Sequence, residues 1–290
     1  MTPLLFGLDV STSAAPGADP VAAGRAAETL GFDFVSATDH PCGDHPTHET
    51  WTMLSWIAAN TSHIRVASRV LGVPYRNPAV LAKMAESFDR LSRGRLILGL
   101  GGGGSDDEFR AFGLGVPSPA DKVTGLDEAV RITRGLWAER RFTFRGRRFQ
   151  TDSADLEPKP HRAIPIWLGT FGDRALAVTG RLADGWIPSL GYAPTDQLVV
   201  MRGTVLAAAR AAGREPESIT CALNIQIRID DSADRQPSMV TGSTDSIVRQ
   251  LVDFQRMGFT AFNFIPAGPD REEQTERLAH EVVPAVIAAC

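Results

Sequence analysis

The stretch Arg95-Leu96-Ile97-Leu98-Gly99-Leu100-Gly101-Gly102-Gly103-Gly104 is an aliphatic run that ends in glycines, after which Ser105, Asp106 and Asp107 open a helix. Consecutive glycines remove every Cβ, so the backbone can turn at positive φ and admit a flat or anionic group at close range. A buried strand that ends this way, among alternating strands and helices, marks the working end of an α/β protein. Outward from it, strand patterns at residues 4–10, 32–37, 64–70, 95–100, 165–168, 185–187, 219–229 and 261–265 alternate with helix patterns. The helices are read at 20–30, 50–60, 126–137, 174–182, 195–212, 246–257 and 270–289, with one more opened by Asn77-Pro78 and stopped by Gly94. Asp270 and Glu273 stand at capping-box spacing. Between the fourth and fifth strands, residues 142–149 alternate around Arg145-Gly146 as a short hairpin would, and 151–161 reads as a proline-containing loop. The order predicts an α/β fold: a closed (β/α)8 TIM barrel in a single domain over residues 1–290. An open doubly wound sheet would want Gly-x-Gly-x-x-Gly after the first strand, and residues 9–17 do not supply it.

Hydrophobic residues make up 43% and charged residues 22% of the 290, the balance of a soluble chain with a large core. A net charge of −4 argues against a general nucleic-acid binder, which would show a basic face. The three cysteines, Cys42, Cys221 and Cys290, are far apart and fit a reduced cytoplasmic chain better than a disulfide framework. Residues 1–10 read as a first strand, not a signal peptide, and no apolar run approaches the ~20 residues that span a bilayer. The expected location is cytoplasmic, with neither membrane nor nucleic acid as partner.

In a barrel, chemistry gathers at the carboxyl ends of the strands. Those ends offer Asp9, Thr38-Asp39-His40, Arg69-Val70, Gly101 to Gly104, Gly169-Thr170-Phe171-Gly172, and Asn224 with Gln226. The set is rich in backbone N–H groups and poor in nucleophiles, which suits a protein that holds a cofactor and lets it react. Asp39-His40 is the sharpest pair, because an imidazole at a strand end can move a proton near neutral pH. Gly169 to Gly172 precede a helix whose free amides could hold a phosphate. Cys42, Asp44, His45 and His48 form a single short cluster with no second pair at finger spacing, so no metal is expected. Arg140, Arg141, Arg145, Arg147 and Arg148 read as a solvated face in preference to a grip on a polyanionic tail.

Taken together, these residues resemble the luciferase-like monooxygenase superfamily, and within it the oxidoreductases that use the deazaflavin coenzyme F-420. The resemblance runs through Gly31-Phe32-Asp33-Phe34-Val35-Ser36-Ala37-Thr38-Asp39-His40, residues 70–83, residues 91–103 with Glu108-Phe109, residues 165–169 and residues 181–186. It implies that Asp39 binds the polar edge of the deazaflavin ring and that His40 sits beside its reactive face as proton donor or acceptor, or as a stabiliser of developing charge. It also implies a non-proline cis peptide at Arg69-Val70 behind the ring, Gly101, Gly102 and Gly103 close to the cofactor, and Gly169, Thr170, Phe171 and Gly172 cradling its phosphate. The implied enzyme is an oxidoreductase moving hydride between coenzyme F-420 and a small organic substrate. The alternatives are an FMN-dependent monooxygenase of the same fold and a binder without turnover. Homodimers are common in the resembled family, and no interface is legible here. Arg69 is large where the family's bulge carries a small residue, and Gly104 stands where its sugar-phosphate dehydrogenases carry an acidic catalytic residue. The connection at 228–240 is short for the family, from which a more open pocket is expected.

Overall fold

Short runs of buried apolar residues become eight parallel strands in the computed structural model, which describes residues 3–230 and 238–290. They are β1 (Leu5–Asp9), β2 (Phe34–Ala37), β3 (Arg65–Ser68), β4 (Leu96–Gly101), β5 (Ile166–Leu168), β6 (Gly185–Trp186), β7 (Thr220–Ile229) and β8 (Ala261–Pro266). Each pairs with its successor, β8 pairs with β1, and the ring closes, as expected of a (β/α)8 barrel. The helices on its outside are α1 (Pro20–Thr29), α2 (Thr50–Ala59), α3 (Pro78–Leu91), α4 (Asp106–Ala111), α5 (Pro119–Ala138), α6 (Asp173–Leu182), α7 (Thr195–Ala211), α8 (Thr244–Arg256), α9 (Arg271–Arg277) and α10 (Val283–Ala289). Asn77 caps α3 as its sequence predicts, its side chain accepting from the Ala79 and Val80 amides at 2.9 and 3.4 Å.

Four segments depart from the sequence reading. The third strand is interrupted after Ser68 and resumes at Leu71–Gly72, which pairs with β4. Helix α5 starts at Pro119, with Ser118 as its N-cap, well before the apolar stripe begins. The hairpin is longer than expected: Phe142–Arg145 pairs with Gln150–Ala154, so part of the supposed loop is strand. Its turn is held by the buried Glu128 carboxylate of α5, which accepts from the Arg147, Arg148 and Phe149 amides at 2.6 to 2.8 Å. The capping box does not form, because the Asp270 carboxylate turns to Arg228 at 2.5 Å. A π turn at Leu278–Val282 then precedes Pro284, which has no N–H to give a regular ladder. Of the 228–240 connection, residues 231–237 lie outside those described. No helix among the described residues is long and apolar enough to cross a membrane.

The barrel is filled in layers. Phe34, Ala67, Ile97, Trp167, Ile187, Ala222 and Ala261 form an apolar layer, with the Phe34 and Trp167 rings edge to face at 5.6 Å. Polar side chains lie nearer the carboxyl ends. Ser36 donates to Asn263 at 3.0 Å, Asn263 to Asn224 at 2.9 Å, and Asn224 to the Ser189 hydroxyl at 3.1 Å. Buried polar groups linked in this way are satisfied by one another, so they make a stiff polar floor for whatever sits above.

Candidate active site

At the carboxyl ends of the strands lies a cleft of about 440 Å³, within the size range of cofactor sites. Its walls include Asp39, His40, Arg69, Val70, Gly101, Gly102, Gly103, Gly169, Thr170 and Phe171, so residues from four strand ends meet there. Gly172 does not line the cleft; it is the exposed N-cap of α6 just outside.

Val70 explains much of the glycine. The Arg69–Val70 peptide is cis, and Val70 projects between the ends of β4 and β5. A Cβ on Gly101 would come within 2.7 Å of its side chain, and one on Gly169 within 3.0 Å. Gly103 has φ of +94°, and a Cβ there would lie 2.4 Å from the Phe109 ring. Gly104 differs: a Cβ there would meet nothing within 4 Å, so space and not backbone is what it leaves.

The Asp39 carboxylate is held by groups of the protein itself. Its side chain is 0% exposed and spends both oxygens internally. Arg76 donates to Oδ2 at 2.7 Å and to Oδ1 at 3.0 Å, and the Gly72 amide donates to Oδ2 at 2.9 Å. Arg76 also meets Glu49, the N-cap of α2. Asp39 thereby ties the ends of β2 and β3 to α2 while lining the cleft. Burial alone would lower the Arg76 guanidinium, but the hydrogen bonds and charges of Asp39 and Glu49 outweigh it and hold it above its ordinary value.

His40 stands at the rim with its side chain 60% exposed. Its Nδ1 lies 2.7 Å from Oε1 of Glu108 on α4, and Tyr75 donates to Oε2 of the same carboxylate at 2.6 Å. Burial would raise the Glu108 carboxyl, yet the bonds from Tyr75 and His40 and the charge of His40 hold it below the usual carboxylate range. Burial, then the hydrogen bond and charge of Glu108, push the Tyr75 hydroxyl well above its ordinary value. At neutral pH Tyr75 is therefore a neutral donor and Glu108 an anionic acceptor. A carboxylate at Nδ1 fixes the N–H on that nitrogen and leaves Nε2 as the free basic atom.

On the opposite wall, the Thr170 hydroxyl is hydrogen-bonded to the Thr179 hydroxyl at 2.8 Å, and its carbonyl accepts from the Trp186 indole at 3.0 Å. Gly172 gives α6 no side-chain cap, which leaves the first-turn amides without an intrahelical partner. Arg69, the oversized residue at the bulge, folds away to Asp9 at 2.7 Å, and Arg271 approaches the same carboxylate at 3.5 Å. No group of three or more metal-ligating side chains occurs among the described residues.

Glu108, Tyr75 and Arg76 were missed as site residues by sequence reasoning. Glu108 follows two aspartates at a helix start, where acids are ordinary, and nothing in spacing alone brings it to His40.

Residues 2–274 match the profile of the luciferase-like monooxygenase family. The chain belongs to that family. Among its relatives, an F420-dependent glucose-6-phosphate dehydrogenase of Microbacterium testaceum is 27% identical over 97% of this chain and 88% of its own length. An F420-dependent hydroxymycolic acid dehydrogenase of Mycobacterium tuberculosis is 33% identical over 69% of this chain and 56% of its own. The solved structure of an F420-dependent secondary alcohol dehydrogenase, in complex with an F420-acetone adduct, superposes with a TM-score of 0.88 at 20% identity. That superposition covers 98% of this chain and 99% of the other, and at that identity it shows that this family member shares the fold.

Proposed function

We propose that this luciferase-like protein is an oxidoreductase that exchanges hydride between coenzyme F-420 and a small organic molecule. The observation that carries the reading is a slot with three matched parts. Val70 and the glycine ends of β4 and β5 make a wall without side-chain relief, His40 stands at the rim, and the uncapped start of α6 lies at the far side. The named relatives described above act with F420, which supports the same coenzyme here.

The residues fit such a group. Gly101, Gly103 and Gly169 cannot carry a Cβ beside Val70 and Phe109, so they line the cleft with bare backbone, and the first-turn amides of α6 suit a phosphate. When bound, a deazaflavin supplies a two-electron carrier that gives or takes hydride. The chain's own part is proton handling. Glu108 accepts the Nδ1 proton of His40, so Nε2 takes a proton from a substrate hydroxyl or returns one to a carbonyl oxygen. Tyr75 keeps Glu108 ionised and aligned, and Asp39, through the Gly72 amide and Arg76, holds the segment that carries Tyr75. Gly104 leaves open the place where an acidic residue would stand in a sugar-phosphate dehydrogenase, so the substrate is of another kind.

Reconstitution tests the coenzyme. The purified protein should bind F-420 tightly by its visible absorbance and fail to bind FMN; the reverse outcome rejects the reading in favour of a flavin monooxygenase. His40→Ala should then lose turnover and keep coenzyme affinity, whereas unchanged turnover would remove His40 from the reaction.

A further inference from the structure

A second cavity, of about 610 Å³, lies between α5, α6 and the hairpin, and it adjoins the active-site cleft. Val123 lines both, and neighbouring residues divide between them: Lys122 and Ala175 face the cleft, Thr124 and Arg174 the groove. The uncapped first turn of α6 stands at the junction. Anything anchored there by a phosphate and continuing outward enters the groove.

Five arginines line it, Arg131, Arg145, Arg147, Arg174 and Arg181, against the carboxylates of Asp127 and Glu128. Glu128 is already engaged by the hairpin amides, and Asp127 is shared by Arg131 at 2.5 Å and Arg181 at 3.3 Å. Arg147 and Arg145 reach acids outside the groove, Asp121 at 2.9 Å and Asp152 at 3.3 Å. Both guanidiniums are mostly exposed, at 72% and 62%, so those pairs are weak and readily exchanged for a ligand carboxylate. Arg174 has no partner among the described residues, and it is the arginine nearest the junction. From Arg174 to Arg181 the charges follow two turns of α6, a distance of about 10 Å.

Building on the coenzyme reading above, we infer that this groove binds the carboxylate tail of the deazaflavin coenzyme, with Arg145, Arg147 and Arg174 as its movable contacts. Coenzyme F-420 carries, beyond its phosphate, a chain of glutamates whose carboxylates repeat along an extended backbone. A row of guanidiniums starting at the phosphate position matches that chemistry. The arginines of the hairpin thus become part of the binding site because the fold sets them against α6.

Fluorescence titration of the coenzyme against the intact protein tests this without turnover. The probes are the tail-less deazaflavin riboside and coenzymes bearing none, one or five glutamates, each at low and at 0.3 M salt. The wild type should tighten several-fold from none to five glutamates, and salt should erase the gain, since the Debye length falls below about 10 Å. The triple variant Arg145→Gln, Arg147→Gln, Arg174→Gln should bind the five-glutamate form about tenfold more weakly, at roughly two- to five-fold per exposed charge pair. Its affinity for the riboside should stay unchanged. Arg174→Gln alone, an exposed change, should give part of that loss. Equal affinity for all tail lengths in the wild type, or equal weakening of the riboside in the variants, overturns the tail site alone. Failure of every form to bind overturns the coenzyme reading with it.

Discussion

Asp39→Asn separates two roles for the residue before His40. The wild-type carboxylate is fully buried, accepts three hydrogen bonds, and faces an Arg76 side chain only 13% exposed. Removing one partner of such a pair costs about 3–5 kcal/mol, because the remaining charge is left without its counterion. Glu49 still touches Arg76, and the amide oxygen can accept one of the three bonds, so the low end applies, about 3 kcal/mol. At about 2–4 °C per kcal/mol for a domain of this class, Tm should fall by about 6–12 °C. Differential scanning fluorimetry reads the shift, and titration with the deazaflavin riboside well below Tm reads the ring site. The anchor role predicts a large drop in Tm with riboside affinity weakened less than about threefold. A Tm within about 1 °C of wild type together with lost riboside binding would refute it and return the carboxylate to the ring edge.

Three further outcomes follow from the same geometry. Gly103→Ala places a Cβ against Phe109 at a positive φ and should cost about 1–3 kcal/mol in urea unfolding, while Gly104→Ala should stay within about 0.5 kcal/mol; equal effects would contradict the backbone assignment. Glu108→Ala should shift the neutral His40 tautomer, read by ¹⁵N NMR, from the Nδ1–H form toward Nε2–H and lower turnover about tenfold or more, the worth of one charge-assisted bond; an unchanged tautomer would remove Glu108 as the positioning residue. Because the Glu108 carboxyl is depressed in the fold, its stabilisation is complete above the ordinary glutamate value of about 4.3 and is lost as pH falls through the lower folded value. The stability gap between wild type and Glu108→Gln should therefore close in acid, and Tyr75→Phe should move the Glu108 ¹³C midpoint upward; a midpoint at the ordinary value in the wild type would contradict both.

Much of the barrel was legible because each strand–helix unit carries local signals: Asn77-Pro78 before α3, Gly94 after it, and the glycines closing β4. The gathering of strand-end residues was legible from the barrel itself, and the cis peptide at Arg69–Val70 through the family resemblance. What escaped was decided by partners distant in sequence. Asp270 has capping spacing but meets a nearer guanidinium in Arg228, and Asp39 has the family's motif but lies under Arg76. Glu108 reaches His40 only because α4 folds back over the end of β2, a contact across 68 positions. The arginines of the hairpin are exposed, as their sequence suggests; that Glu128 pins their turn across 19 to 21 positions was not legible.

A crystal structure of the protein soaked with coenzyme F-420 tests the central claim most directly. It should show the ring against the Arg69–Val70 peptide and Gly101 to Gly103, its phosphate on the first-turn amides of α6, and Nε2 of His40 open to the substrate side. A cleft left empty at saturating coenzyme, or a ring lodged away from Val70, would contradict it.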